Sequence, residues 1–153
     1  DYMAITLAIV LGIFLIFRNT RINGSPLAQI RTVIRASEYQ PYEQYIINQM
    51  NLESGYITNT LSQAPIYNIF SMSKVRVRPT TQLEGYYSNP NIDGGQEFGV
   101  YEDYASATED FLLYLDYVRI PQGLSCQEYN SFIVSKGYAV DERYEEKLNT
   151  MCR

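Results

Sequence analysis

The sequence predicts an α+β fold that is mostly α, with a small β-lobe set between helices and one N-terminal transmembrane helix ahead of the domain. Three observations predict it. Apolar residues at helical spacing, framed by capping signals, occupy residues 25–55 and again 106–151. Between them, an apolar–basic alternation and a dense cluster of turn residues mark residues 71–101. At the start of the chain, Tyr2 to Phe17 runs without a charge. The 153 residues divide into an anchor at 1–18, a linker at 19–24 and one domain at 25–153, large enough to bury its own core.

The apolar segment would be about 24 Å long as a helix, against a hydrocarbon layer of about 30 Å. Tyr2 and the Phe17-Arg18 pair suit the two interfaces, where aromatic rings settle and arginine snorkels. A cleaved signal peptide carries a basic stretch before its apolar core and small residues after it. Here Asp1 precedes the segment and Phe17-Arg18-Asn19-Thr20-Arg21 follows, which favours an uncleaved anchor over a signal peptide or a buried helix.

Ser25-Pro26 starts the first soluble helix, with Ser as cap and Pro in the first turn, followed by Leu27, Ile30, Val33 and Ile34. Pro41 opens a second, carrying Tyr42, Tyr45, Ile46, Gln49 and Met50, and Gly55 is its expected stop. Val75-Arg76-Val77-Arg78 reads as a half-exposed strand, Gln82–Tyr87 as a second, and Glu97–Tyr101 as a third after the turn at residues 89–95. Ser106 to Glu109 and Ser125 to Glu128 each have the form of a capping box. Asp141 is the expected cap of a last helix bearing Tyr144, Leu148 and Met151. Cys126 and Cys152 fall at ends of neighbouring helices that meet in an antiparallel hairpin, so either a disulfide or two buried thiols fits.

Composition removes several chemistries. The chain has no histidine and two cysteines, which excludes an imidazole base, a Ser-His-Asp or Cys-His hydrolase and a four-ligand structural zinc site. Acid–base work falls to carboxylates, tyrosines or lysines, with no cofactor or metal required. Four arginines stand within residues 1–35 against Asp1 alone, whereas the rest is strongly acidic and the whole chain carries −5. An acidic body does not suit phosphate backbones, so nucleic acid is not an expected partner.

Glu53 stands at the C-terminal end of the Pro41 helix, where the helix dipole disfavours negative charge and Met50, Leu52 and Tyr56 add desolvation. Both effects keep a carboxyl protonated, as a general acid for glycosidic cleavage must be. Glu53-Ser54-Gly55 is followed by Asn68-Ile69-Phe70, by Phe98-Gly99-Val100-Tyr101, and by the run from Gly137-Tyr138 through Asp141 and Tyr144 to Lys147-Leu148. This series resembles the glucosaminidase domain of bacterial cell-wall hydrolases, glycoside hydrolase family 73, whose pattern runs ESG, NLFGIK, FRxY and GYATDxxYxxKL. The resemblance covers about residues 41–152. It departs at Tyr56-Ile57 in place of Trp-Gly, at Ser71 and Ser73 in place of Gly and Lys, and at Gly99 in place of Arg.

The resemblance implies a lysozyme-like fold that cleaves the glycan strands of peptidoglycan. It implies Glu53 as catalytic acid, Ser54 beside it as a substrate-binding residue, Asn68 and Phe70 shaping the cleft floor, and Tyr101 and Tyr138 facing the sugars. Aromatic rings suit that role because sugar C–H faces are apolar. For a second carboxylate Glu84 is the best positional match, with Asp93 and Glu97 as rivals. In the alternative, the substrate's own N-acetyl group attacks and one Glu suffices. A lytic transglycosylase or muramidase, and a membrane-anchored glycan-binding or structural module, are the competing readings.

Such an enzyme would sit on the membrane through Tyr2–Phe17 with its domain toward the cell wall. The arginines after the segment argue the other way, since positive flanks stay in the cytoplasm. A membrane tether also suits a larger envelope assembly, or the membrane of a phage virion that must open the wall locally.

Overall fold

The computed structural model describes residues 24–91 and 93–153. The expected anchor and most of the linker lie outside the described residues, and among those described no helix is long and apolar enough to cross a membrane.

Among the described residues there are five α-helices and one two-stranded sheet: α1 (Pro26–Arg35), α2 (Glu43–Ser54), β1 (Tyr86–Tyr87), β2 (Phe98–Gly99), α3 (Tyr104–Val118), α4 (Cys126–Ser135) and α5 (Tyr144–Asn149). Helix α2 is the central element, touching α1, α4 and α5, while α1 packs on α3 and α4 on α5. Its consecutive buried residues Ile46, Ile47, Asn48, Gln49 and Met50 follow from that position, because a helix enclosed on several sides needs no polar face. Three of them close the core together with Ile30, Ile34, Phe111, Leu115 and Ile133.

The core is tyrosine-rich, and most of its buried hydroxyls are placed on acceptors. Tyr42 Oη donates to the Pro121 carbonyl at 2.6 Å and accepts from the Leu124 N–H at 3.0 Å. Tyr129 Oη donates to Gln49 Oε1 at 3.1 Å, and Tyr39 donates to Asp116. Cys126 and Cys152 form a disulfide that ties the start of α4 to the chain after α5. Closing a loop of this length contributes about 3 kcal/mol in the chain-entropy account.

Helix boundaries follow local chemistry where the cap is local. Ser25 caps α1 and Ser125 with Glu128 makes the complete capping box of α4. Gly55 ends α2 in the left-handed conformation, φ 57° and ψ 46°, which a residue without Cβ adopts freely. Three expectations are corrected. The Pro41 segment begins as a 3₁₀ turn, Gln40–Tyr42, before α2 proper. Asp103, not Ser106, caps α3, and its carboxylate takes the Ser106 N–H at 2.7 Å inside the first turn. Asp141 does not cap α5 directly; it accepts from Arg143 N at 2.9 Å and pairs with Lys147 across the turn.

The β-lobe departs further from expectation. Val75–Arg78 is not a strand, and among the described residues only the short segments Tyr86–Tyr87 and Phe98–Gly99 pair, antiparallel, with an isolated bridge from Ser73 to Phe98. Arg78 is drawn inward to Asp110, and Val77 is left 82% exposed. Side chains replace ladder hydrogen bonds here. The Gln82 amide accepts from Val75 N at 2.8 Å and donates to the Ser73 carbonyl at 2.9 Å. Lys74 Nζ donates to the carbonyls of Leu83 and Gly85.

Gly99 is explained by the same amide, since a Cβ there would lie 2.3 Å from Gln82 Cδ. Gly99→Ala should displace the Gln82 side chain and cost about 1–3 kcal/mol of stability in urea unfolding, the usual range for buried polar groups losing partners. Gln82→Ala in the same background should remove most of the added cost, and additive losses would count against this account.

Candidate active site

Glu53 occupies the last turn of α2, and the chain beyond it is knotted to hold that end. Ser54 is fully buried, and its hydroxyl donates to the Met50 carbonyl at 2.7 Å while accepting from Ile57 N at 2.9 Å. The Glu53 carbonyl receives Asn59 Nδ2 at 2.9 Å and Ser71 Oγ at 3.4 Å. Tyr56, Ile57, Tyr67 and Ser71 all have positive φ. Such conformations are uncommon for residues with a Cβ, and four between positions 56 and 71 mark a tightly constrained wrap around the carboxyl.

Burial holds the Glu53 carboxyl above its ordinary pKa, and the hydroxyls of Tyr144 and Ser71 pull weakly the other way by favouring the charged form. Tyr144 Oη is buried without a partner at full hydrogen-bond distance, so its pull acts at longer range. Tyr138 and Tyr144 both feel the Glu53 charge, although burial is the larger cause of the upward shift of each phenol. Tyr56, expected to add desolvation, stands 70% exposed beyond the helix. Among the described residues, no second carboxylate contributes to the Glu53 shift.

Two surface depressions flank this point. The larger, about 400 Å³, is lined by Ser71, Lys74, Val77, Tyr117, Lys136 and Tyr138 among others. The smaller, about 270 Å³, is lined by Asn59, Leu61, Ser71, Tyr87 and Phe98 among others. Ser71 belongs to both, and its hydroxyl also acts on the Glu53 carboxyl. Ser71 therefore links the two depressions to Glu53, which itself lines neither.

The other motif residues divide between cleft and core. Tyr138 is half-buried in the wall of the larger depression, with its hydroxyl donated to the Phe70 carbonyl. Phe70 is buried and stacked on Phe111 at 4.2 Å. Asn68 is buried, donating to the Met72 and Gly99 carbonyls at 2.8 and 2.9 Å and accepting from Met72 N at 2.8 Å. It fastens the lobe to the domain. Tyr101 is buried too, its hydroxyl donated to Asp110 at 2.7 Å, so its ring does not present a face to a sugar.

Glu84 is exposed just before β1, and Glu97 pairs with Arg76. Asp93 lies in the short 3₁₀ turn between the strands. Ser71 and Tyr144 carry no role in the motif reading, yet they are the side chains that tune Glu53. Tyr144 was signalled by its place in the run from Gly137 to Leu148, six residues after Tyr138. Among the described residues, no group of three acidic or cysteine side chains could hold a metal.

A mostly helical domain with a small two-stranded lobe has the architecture of a lysozyme-like glycoside hydrolase. The family described as Mannosyl-glycoprotein endo-beta-N-acetylglucosaminidase matches residues 32–153. The chain belongs to this glucosaminidase family. Several solved structures are similar in fold, these three among them. The peptidoglycan hydrolase from Sphingomonas sp. A1 has a TM-score of 0.59 at 17% identity, with 84% of each chain covered. The glycoside hydrolase domain of Salmonella typhimurium FlgJ gives 0.57 at 22% identity, covering 83% of this chain and 84% of that one. The catalytic domain of the Listeria monocytogenes autolysin Auto gives 0.53 at 17% identity, covering 92% and 90%. No curated protein matches this chain in sequence.

Proposed function

We propose that this protein cleaves the β-1,4 glycosidic bond after N-acetylglucosamine in peptidoglycan, with Glu53 as general acid. The observation that carries it is the raised pKa of a single carboxyl beside Ser71, where two depressions meet. Peptidoglycan is supported by the similarity in fold to the peptidoglycan hydrolase from Sphingomonas sp. A1. Glu53 gives its proton to the leaving oxygen as the C1–O bond breaks. Glu84 is exposed and Glu97 is paired with Arg76, which favours attack on C1 by the substrate's own acetamido oxygen. Water then opens the resulting cyclic intermediate, and Glu53 takes back a proton.

Mass spectrometry of purified peptidoglycan after digestion tests this directly. Reducing N-acetylglucosamine ends are the expected product, and 1,6-anhydro-muramic ends would place the protein among the transglycosylases instead. Glu84→Gln should keep kcat within about threefold if the acetamido group is the nucleophile. A loss of about a hundredfold or more would return the second role to Glu84.

We further propose that the domain works at the envelope, tethered by Tyr2–Phe17 and facing the wall. Protease protection of the tethered domain in intact cells would refute that side of the membrane.

A further inference from the structure

We propose that the larger depression beside Glu53 binds the carboxylates of the peptide stems carried by the glycan strand, so that substrate is chosen for its anionic substituents as well as its sugars. The inference rests on the peptidoglycan reading above. Its starting point is an imbalance of charge. The chain has 12 basic and 17 acidic residues, yet this depression is lined by Lys74, Arg76, Arg78 and Lys136 and by no Asp or Glu.

The four cations are not equivalent. Arg78 is spent on the fold, with its side chain 4% exposed and both Nη atoms on the buried Asp110 carboxylate. Arg76 pairs with Glu97 at the surface, an arrangement that solvent screens and that a ligand can exchange at little cost. Lys74 is held by two backbone carbonyls, which fix the ammonium in place and cancel none of its charge. Lys136 is exposed, with its ammonium 5.0 Å from the centre of the Phe132 ring. It also follows the C-terminus of α4, whose dipole favours a cation without supplying a full anion. Lys74 and Lys136 therefore both line this depression, and among the described residues neither has an acidic partner.

Val77 and Tyr117, 82% and 56% exposed, line the same depression and offer apolar surface alongside those charges. The combination suits a ligand that is part aliphatic and part carboxylate. It suits a polyphosphate less well. Arginine forks are what grip phosphate bidentately, and the better-ordered of the two arginines here is consumed by Asp110. The net charge of −5 also repels a long polyanion. Peptide stems meet the requirement, since each brings a few separated carboxylates on short aliphatic side chains.

The test is binding by the full chain carrying Glu53→Gln, which holds substrate without cutting it. Fluorescence anisotropy would compare soluble glycan fragments with intact stems, with stem carboxylates amidated, and with stems removed. At low salt the intact fragment should bind at least about tenfold tighter than the other two, and the difference should fade as salt rises. Lys136→Gln and Lys74→Gln should remove that preference. Lys74→Arg should keep it, which separates charge from any disturbance of the lobe, and melting temperatures would verify that each variant is folded.

Equal binding of the three fragments by the folded protein would overturn the proposal, and so would a preference that survives both Lys→Gln changes. Tighter binding of a polyglycerol phosphate than of the intact fragment would overturn it in favour of a phosphate site. Failure of the activity reading shows separately. A Glu53-intact protein with the binding preference but no reducing N-acetylglucosamine product would support the stem site while removing the hydrolase.

Discussion

Glu53→Gln should lower peptidoglycan cleavage by about a thousandfold and leave the protein folded and more stable at neutral pH. The first effect follows from the proposed role of Glu53 as proton donor to the leaving oxygen, since general acid catalysis contributes on the order of 10²–10⁴. The second follows from linkage. Burial raises the Glu53 pKa in the folded protein above its ordinary value of 4.5. Between those two values the folded state binds more protons than the unfolded one, so stability falls as pH rises through the window. Above the folded pKa the native state carries the full cost of a desolvated carboxylate, which a neutral amide of similar shape does not.

The melting temperature of Glu53→Gln should therefore exceed that of the parent near pH 7, and the gap should close below about pH 4.5. The alkaline limb of the activity profile should sit above the usual glutamate range for the same reason. A variant that keeps near-parental cleavage would remove Glu53 as the acid. A stability gap of the opposite sign would mean that its carboxylate is favoured by the fold rather than penalised.

The helix end carrying Glu53 was legible because its determinants are local. Gly55 stops the helix, and a carboxyl three or fewer residues before such a stop faces the negative end of the dipole. What the sequence could not supply was the source of desolvation. Tyr56 is adjacent in sequence and exposed in space, whereas Tyr138 and Tyr144, whose phenols feel the Glu53 charge, arrive from the far end of the chain. The same divide explains the lobe. Val75–Arg78 alternates as a strand should, but the partner that decides its path is Asp110, some thirty residues on and buried in α3. Tyr101 and Tyr138 are both motif tyrosines, and nothing in their spacing tells which meets a buried carboxylate and which meets the cleft. Alternation and spacing report what a segment prefers by itself. They do not report which distant side chain offers a stronger contact.

Asp110→Asn is the change expected to harm the fold most, by about 3–5 kcal/mol. Asp110 is fully buried on α3 and accepts from Arg78 twice, at 2.9 and 3.1 Å, from Thr80 Oγ1 at 2.6 Å and from Tyr101 Oη at 2.7 Å. Every neighbour is a donor. An amide would turn one acceptor into a donor facing donors and would leave the Arg78 guanidinium buried without its anion. Native stabilities are only about 5–15 kcal/mol, so the variant should lose much of its margin in urea. The damage should concentrate where Asp110 holds the chain. Amide exchange should accelerate over residues 73–87 before α2 or α4 respond, and cleavage should fall because that lobe lines both depressions. The pair Asp110→Leu with Arg78→Met should recover most of the stability, because removing both charges leaves neither stranded. If Asp110→Asn alone costs under about 1 kcal/mol, the ion pair does not anchor the lobe. If the double replacement is as unstable as the single, the loss comes from the Thr80 and Tyr101 hydroxyls rather than from Arg78.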